Sequence, residues 1–196
     1  MKSKLFFLFC LNIFFYGAHS QADTTVWNME IKAEDNKYIL NLPDQWKKIA
    51  LTEGSAIDYK FDFTGIGIPA MTGGAPLYAF FTISQIAGDK HGQAMDQVMS
   101  DFSAFYDRVT EPGYNFDTST AVIKTGQTGT LLHSRYYRRS KVSNYSKYYL
   151  IVYSTKSNAT FILSLGFQYK DPSYDIERSA RLKDYALRIF DHFELR

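Results

Sequence analysis

Polar and apolar positions alternate strictly over residues 57–63. Ile57, Tyr59, Phe61 and Phe63 fall on one side, and Asp58, Lys60 and Asp62 on the other. A period of two is that of a half-buried β-strand. The stretch 78–86 is apolar at both parities, which predicts a strand inside the sheet. Two earlier strands are expected at 26–32 and at 38–42, the second ending at Pro43. The period then changes. Met95, Val98, Met99, Phe102, Phe105 and Val109 recur at spacings of three and four, the signature of one helix face, and Pro112-Gly113 stops it. Strands resume at 121–124, 130–139, 147–155 and 160–168. In the last of these Phe161, Leu163, Leu165 and Phe167 share a face. Asp171-Pro172 has the form of a helix start, with Asp as cap and Pro at the first helical position. Leu182, Tyr185, Ala186, Ile189, Phe190 and Phe193 supply the buried stripe of that final helix. Four strands, a helix, four strands and a helix predict an α+β domain built on a mainly antiparallel sheet. The aromatic content of 17% suits such a sheet.

The first 22 residues stand apart from this pattern. Lys2 and Lys4 precede an apolar run from Leu5 to Tyr16, and small residues follow at Ala18, Ser20 and Ala22. This is the form of a secretory signal peptide, so the expected domain covers residues 23–196. The apolar run is shorter than the roughly 20 residues a membrane-spanning helix needs. Cys10, the sole cysteine, lies inside that run behind Phe7, Leu8 and Phe9. Its bulky neighbours do not fit a lipid-attachment signal. An exported domain from residue 23 onward therefore has no disulfide, no thiolate nucleophile and no zinc-thiolate site, and must be held by its core.

The order of elements, together with "YILNLPDQWKKI" near the start, resembles the PsbP-like superfamily. The matching features are a strand ending in Leu42-Pro43, Trp46 three residues after Pro43, and a C-terminal helix closing on "IFDHF". The resemblance implies an α/β/α sandwich around an antiparallel sheet. It also implies a protein that binds or assembles rather than catalyses. Trp46 admits two roles: a plug at the end of the core, or a stacking surface for a ligand.

Charge changes the picture most. Residues 23–117 hold 7 basic and 14 acidic residues, net −7, whereas residues 118–170 hold 8 basic residues and no acid, net +8. Within the second segment lies "HSRYYRRSKVSNYSKYY", residues 133–149, with five basic residues and five tyrosines. Strand alternation puts Arg135, Tyr137 and Arg139 on one face and Tyr136 and Arg138 on the other. Residues 140–146 are then a hairpin loop, with Lys141 and Lys147 flanking its tip. The candidate binding set is Arg135, Tyr137, Arg138, Arg139, Lys141, Tyr145, Lys147 and Trp46. Arg and Tyr are common interface anchors, so the expected partner is anionic: an envelope protein, lipid headgroups or a cell-wall polymer. Export argues against nucleic acid, and a solvated sheet face is the plainer reading of the same residues.

Catalytic signatures are sparse. The glycine-rich stretch 65–76, "GIGIPAMTGGAP", leads into a strand rather than a helix and lacks the Lys-Ser/Thr of a phosphate loop. It reads as a connection between strands, or as a flap over a groove in a small hydrolase or ligand-binding protein. His91, His133 and His192 are isolated in sequence, so no metal site is expected. No G-x-S-x-G elbow occurs, and no cofactor is expected.

Overall fold

The computed structural model describes residues 26–33, 35–54, 57, 59–65, 77–106, 115–123, 126–138, 143–169 and 176–196. The expected signal peptide, the flap segment 66–76, the stop at Pro112-Gly113 and the start at Asp171-Pro172 lie outside these residues. Among the described residues two helices and ten strands follow one another in the order β1 (Met29–Lys32), β2 (Tyr38–Leu42), β3 (Lys47–Ile49), β4 (Tyr59–Gly65), β5 (Leu77–Ala87), α1 (His91–Tyr106), β6 (Asn115–Val122), β7 (Thr128–Arg138), β8 (Ser143–Ser154), β9 (Ala159–Tyr169), α2 (Ile176–Asp191) and β10 (Phe193–Leu195). The fold is the α+β class expected, with a mainly antiparallel sheet.

Seven strands form the main sheet in the order β3-β4-β5-β9-β8-β7-β6, and every neighbouring pair is antiparallel. The first and second halves of the chain meet at the β5–β9 pair. Strand β9 is buried at all but one of its eleven positions. Its odd-numbered residues Phe161, Leu163, Leu165 and Phe167 belong to the larger core, along with Ala79, Phe81 and Ile83 of β5 and Leu150 and Val152 of β8. Leu182, Tyr185, Ala186, Ile189 and Phe190 of α2 cover that face. A second, three-stranded sheet, β1-β2-β10, closes the same core through Tyr38, Leu40, Leu42 and Phe193. On the opposite face Ile162, Tyr149, Ile151 and Leu132 meet Ala94 and Val98 of α1. The main sheet is thus sandwiched, with α1 on one side and α2 and the small sheet on the other.

Several expectations need correction. Phe193 is not helical: α2 ends at Asp191, and Phe193 lies on β10, opposite Leu40 of β2. Its spacing after Ile189 and Phe190 continues the helical period, so the sequence merges the two elements. Met99 is 40% exposed. Val98 and Phe102 of the expected stripe are buried, Met95 packs beside them, and Ala94 joins this face in place of Met99. Strand β6 begins at Asn115 rather than 121. Thr118, Ser119 and Thr120 are exposed on this edge strand, so backbone pairing with β7, not apolar alternation, makes it a strand. The hairpin loop is shorter than 140–146, because Ser143 to Ser146 are already in β8, paired with Arg138 to Arg135.

Phe161 is fully buried and packs edge-on against Tyr38 and Phe193. Phe161→Ala is expected to cost about 3–5 kcal/mol in urea unfolding. Met99→Ala, on the exposed face of α1, should stay within roughly 0.5 kcal/mol of the parent. Equal losses at both positions would contradict this division into core and surface.

Candidate functional site

The strand register decides where the basic, tyrosine-rich stretch goes. Asn115, Arg135, Ser146 and Phe167 share one row across β6, β7, β8 and β9. Phe167 points into the α2-side core, so Arg135 belongs to that face. Tyr145 and Lys147 have the opposite parity on β8 and belong to the α1 face with Tyr149. The basic residues are therefore divided between the two faces, as alternation requires. Tyr137 and Arg138 occupy the last two rungs of β7, opposite Asn144 and Ser143. Arg139 and Lys141 lie outside the described residues.

Another row, Gly65–Leu77–Tyr169–Asn144–Tyr137, crosses β4, β5, β9, β8 and β7. The strand ends flanking residues 66–76 and residues 139–142 are thus at one end of the sheet. The glycine-rich stretch and the basic hairpin, far apart in sequence, depart from the same edge of the fold.

Trp46 sits in the larger core, 1% exposed. The turn that carries it is closed by its backbone N–H donating to the Pro43 carbonyl at 3.1 Å. Its indole N–H donates to the Tyr185 hydroxyl of α2 at 3.4 Å, and its ring meets Phe81 edge-on. Burying an indole is favourable when its one polar atom finds such a partner. This is the core-plug arrangement of the two roles considered.

Lys147 is not at a solvated hairpin tip. It projects from the α1 face of the sheet into a cleft of about 430 Å³ lined by β4, β5, β8, β9 and α1. Its ammonium lies 4.7 Å from the centre of the Tyr149 ring and 5.5 Å from that of Phe80. It donates to Asp101 Oδ2 of α1, an oxygen that also accepts from the Tyr149 hydroxyl at 2.8 Å. The two charges differ in exposure: the Lys147 side chain is 13% exposed and that of Asp101 50%. Val98, Ile162 and Phe80 give the cleft apolar walls, and Ser164, Thr82, Ser84 and Gln97 bring polar atoms to it. The Ser164 hydroxyl is buried without a hydrogen-bond partner. Phe80 can lie across the sheet because Gly166 stands opposite it: a Cβ there would sit 2.2 Å from the ring.

The histidines stay apart. His133 stacks on Tyr148 at 4.2 Å within the sheet, and His192 stacks on Trp27 at 3.7 Å beside the small sheet. His91 opens α1, with Nε2 3.4 Å from the Thr130 hydroxyl. Among the described residues no three His, Cys, Asp or Glu side chains gather as metal ligands would, and no helix is long and apolar enough to cross a membrane.

Asp101, Phe80, Gln97 and Ser164 were not singled out by sequence reasoning. Asp101 looks like any polar residue on the outer side of an amphipathic helix. One signal was available: Gly166, a glycine inside an otherwise apolar strand, which often marks a close approach by another group.

No family model matches the chain, and no curated protein matches it. Among solved structures, it is similar to LpqN of Mycobacterium tuberculosis, a protein involved in cell envelope biogenesis, with 17% identity, a TM-score of 0.45, and coverage of 85% of this chain and 88% of that one. It is also similar to the Saccharomyces cerevisiae Ran-binding protein Mog1p, at 9% identity and a TM-score of 0.48, over 87% and 96% of the two chains. The cyanobacterial PsbP of Synechocystis sp. PCC 6803 gives 14% identity and a TM-score of 0.46, over 85% and 91%. The similarity is one of chain path.

Gly166→Ala is expected to push the Phe80 ring off the sheet and into the cleft. The cost should be about 1–3 kcal/mol in urea unfolding, as for other overpacked sites. An alanine accommodated without loss of stability would show that the ring does not need the glycine.

Proposed function

We propose that this protein is an exported, non-catalytic binding module of the bacterial cell envelope. In this reading it recognises an anionic partner, either the acidic face of an envelope protein or an anionic surface such as lipid headgroups or cell-wall polymer. One observation carries the reading. The described residues of the acid-free segment 118–170, net +8, lie mostly in four adjacent strands, β6-β7-β8-β9, while the segment of net −7 supplies β3, β4 and β5 and the start of β6. Apart from Asp117 on β6 these strands carry no acid of their own, although Asp101 of α1 reaches Lys147 on β8, and an uneven charge distribution attracts and orients an oppositely charged partner.

Arg135, Tyr137, Arg138, Arg139, Lys141 and Tyr145 are the residues assigned to this recognition; Arg135 lies on the α2 face and Tyr145 on the α1 face, so only part of the set can share one surface. Lys147 contributes less to it, since its ammonium is turned into the cleft and held by Asp101. Trp46 contributes through the core that supports the sheet. The signal-like first 22 residues support export. The second reading, a ligand-binding protein with a site near the 65–76 segment, is favoured by the cleft itself, which reaches Tyr78 at the start of β5 and Lys60 on β4.

Pull-down from bacterial envelope extract tests the charge reading. Binding should weaken strongly between about 0.1 M and about 1 M salt, over which the Debye length shrinks from about 10 Å to about 3 Å. Replacing Arg135, Arg138 and Arg139 together with Ser should reduce binding at low salt by about tenfold or more, with the thermal midpoint little changed. Salt-independent capture, or full capture by the triple variant, would overturn the proposal.

A further inference from the structure

Lys147 is turned into the α1-side cleft and contributes little to the hairpin surface. We propose that this cleft binds an apolar monocarboxylate, a small molecule with one carboxylate on a hydrocarbon or aromatic body, and that Lys147 receives the carboxylate in place of Asp101.

The argument begins with the asymmetry of the ion pair. Lys147 is nearly enclosed, between the rings of Phe80 and Tyr149, whereas half of the Asp101 side-chain surface is in water. A buried charge must keep a partner, whereas a half-exposed carboxylate on a helix surface can turn outward into solvent, provided the incoming anion takes over the bonds from both Lys147 and the Tyr149 hydroxyl. An incoming anion therefore displaces Asp101, and Lys147 stays where it is. Ser164 supplies the second recognition group. Its hydroxyl is 5% exposed, has no partner and lines the same cleft. The register puts Ser164 opposite Tyr149, two rows from the Lys147–Gly166 pair and on the same face of the sheet, within reach of a group seated on the ammonium. A buried hydroxyl without a partner is costly, and a carboxylate oxygen would accept its proton.

The remaining walls specify the body of the ligand. Phe80, lying flat over Gly166, with Val98 and Ile162, offers apolar surface, and the cleft volume of about 430 Å³ falls in the range of small-molecule sites. One enclosed ammonium and one hydroxyl match a single negative charge. Lys60 of β4 also lines the cleft, so a phosphate dianion would need both lysines at once, and the phosphate arm of the titration below tests that alternative. A cationic ligand would need Asp101 to be the enclosed partner, and it is the solvated one.

The test is calorimetric titration of the mature protein with 4-phenylbutyrate, 4-phenylbutan-1-ol, 4-phenylbutylamine and inorganic phosphate. The acid should bind at one site, and the alcohol and amine about tenfold or more weakly, the scale of a lost hydrogen bond to a charged group. Lys147→Met should abolish binding of the acid, and Ser164→Ala should weaken it about fivefold. Asp101→Asn should tighten it severalfold, because the competing carboxylate is gone. That last sign separates a ligand site from a merely structural ion pair. If Lys147→Met does not fold, as judged by its melting curve, the Asp101 and Ser164 variants still decide. The variant with Arg135, Arg138 and Arg139 replaced by Ser should bind 4-phenylbutyrate as the parent does, so this site and the hairpin surface stand or fall separately. Absence of saturable heat with millimolar acid, preference for the amine or phosphate, or weaker binding by Asp101→Asn would overturn the proposal.

Discussion

Strand β9 is buried along almost its whole length on both faces, and the rest of the architecture follows from covering it. A strand at the centre of a sheet satisfies its backbone through two neighbours, here β5 and β8, but its side chains still need an apolar layer above and below. The heavier face, with Phe161, Leu163, Leu165 and Phe167, is covered by α2 and by the small β1-β2-β10 sheet. The lighter face carries Ile162, Ser164 and Gly166 and, among the described residues, is covered by α1. Tyr148 of β8 helps join the layers on the heavier side, its hydroxyl donating to the Ser179 carbonyl of α2 at 3.4 Å.

The cleft is a consequence of that unequal covering. Small residues at Ser164 and Gly166 leave space that α1 does not fill, and Phe80 folds down into part of it. Lys147 projects into the same space because its neighbour of opposite parity, Tyr148, is claimed by the core. Once the lysine is there its charge needs company, and Asp101 and two aromatic rings provide it. A residue that reads as part of a solvated basic cluster has become the cation of an apolar recess.

Much of the fold was legible in the sequence. The alternation over residues 57–63 and along β9, the helical stripe through Leu182, Tyr185, Ala186, Ile189 and Phe190, and the long apolar stretch of β5 each correspond to an observed element. Strands β3 and β10, of three residues each, are too short to show a period. The polar strand β6 owes its conformation to pairing with β7, which composition does not express. For the site, the basic hairpin was visible as a run of charges, but the pairing of Lys147 with Asp101 joins residues 46 positions apart, and nothing in either segment announces the other.

By itself the sequence determined the class of fold, the division of the hairpin between two faces, and the separation of a basic from an acidic stretch, because each depends on local period or on counting. Only the tertiary structure decided which side of the sheet each face joins, and that Trp46 belongs to the core while Lys147 enters a cleft. Those outcomes depend on strand order and register, which bring β9 between β5 and β8. Register is set by the cooperative burial of many distant residues at once, and no short stretch of chain contains that information.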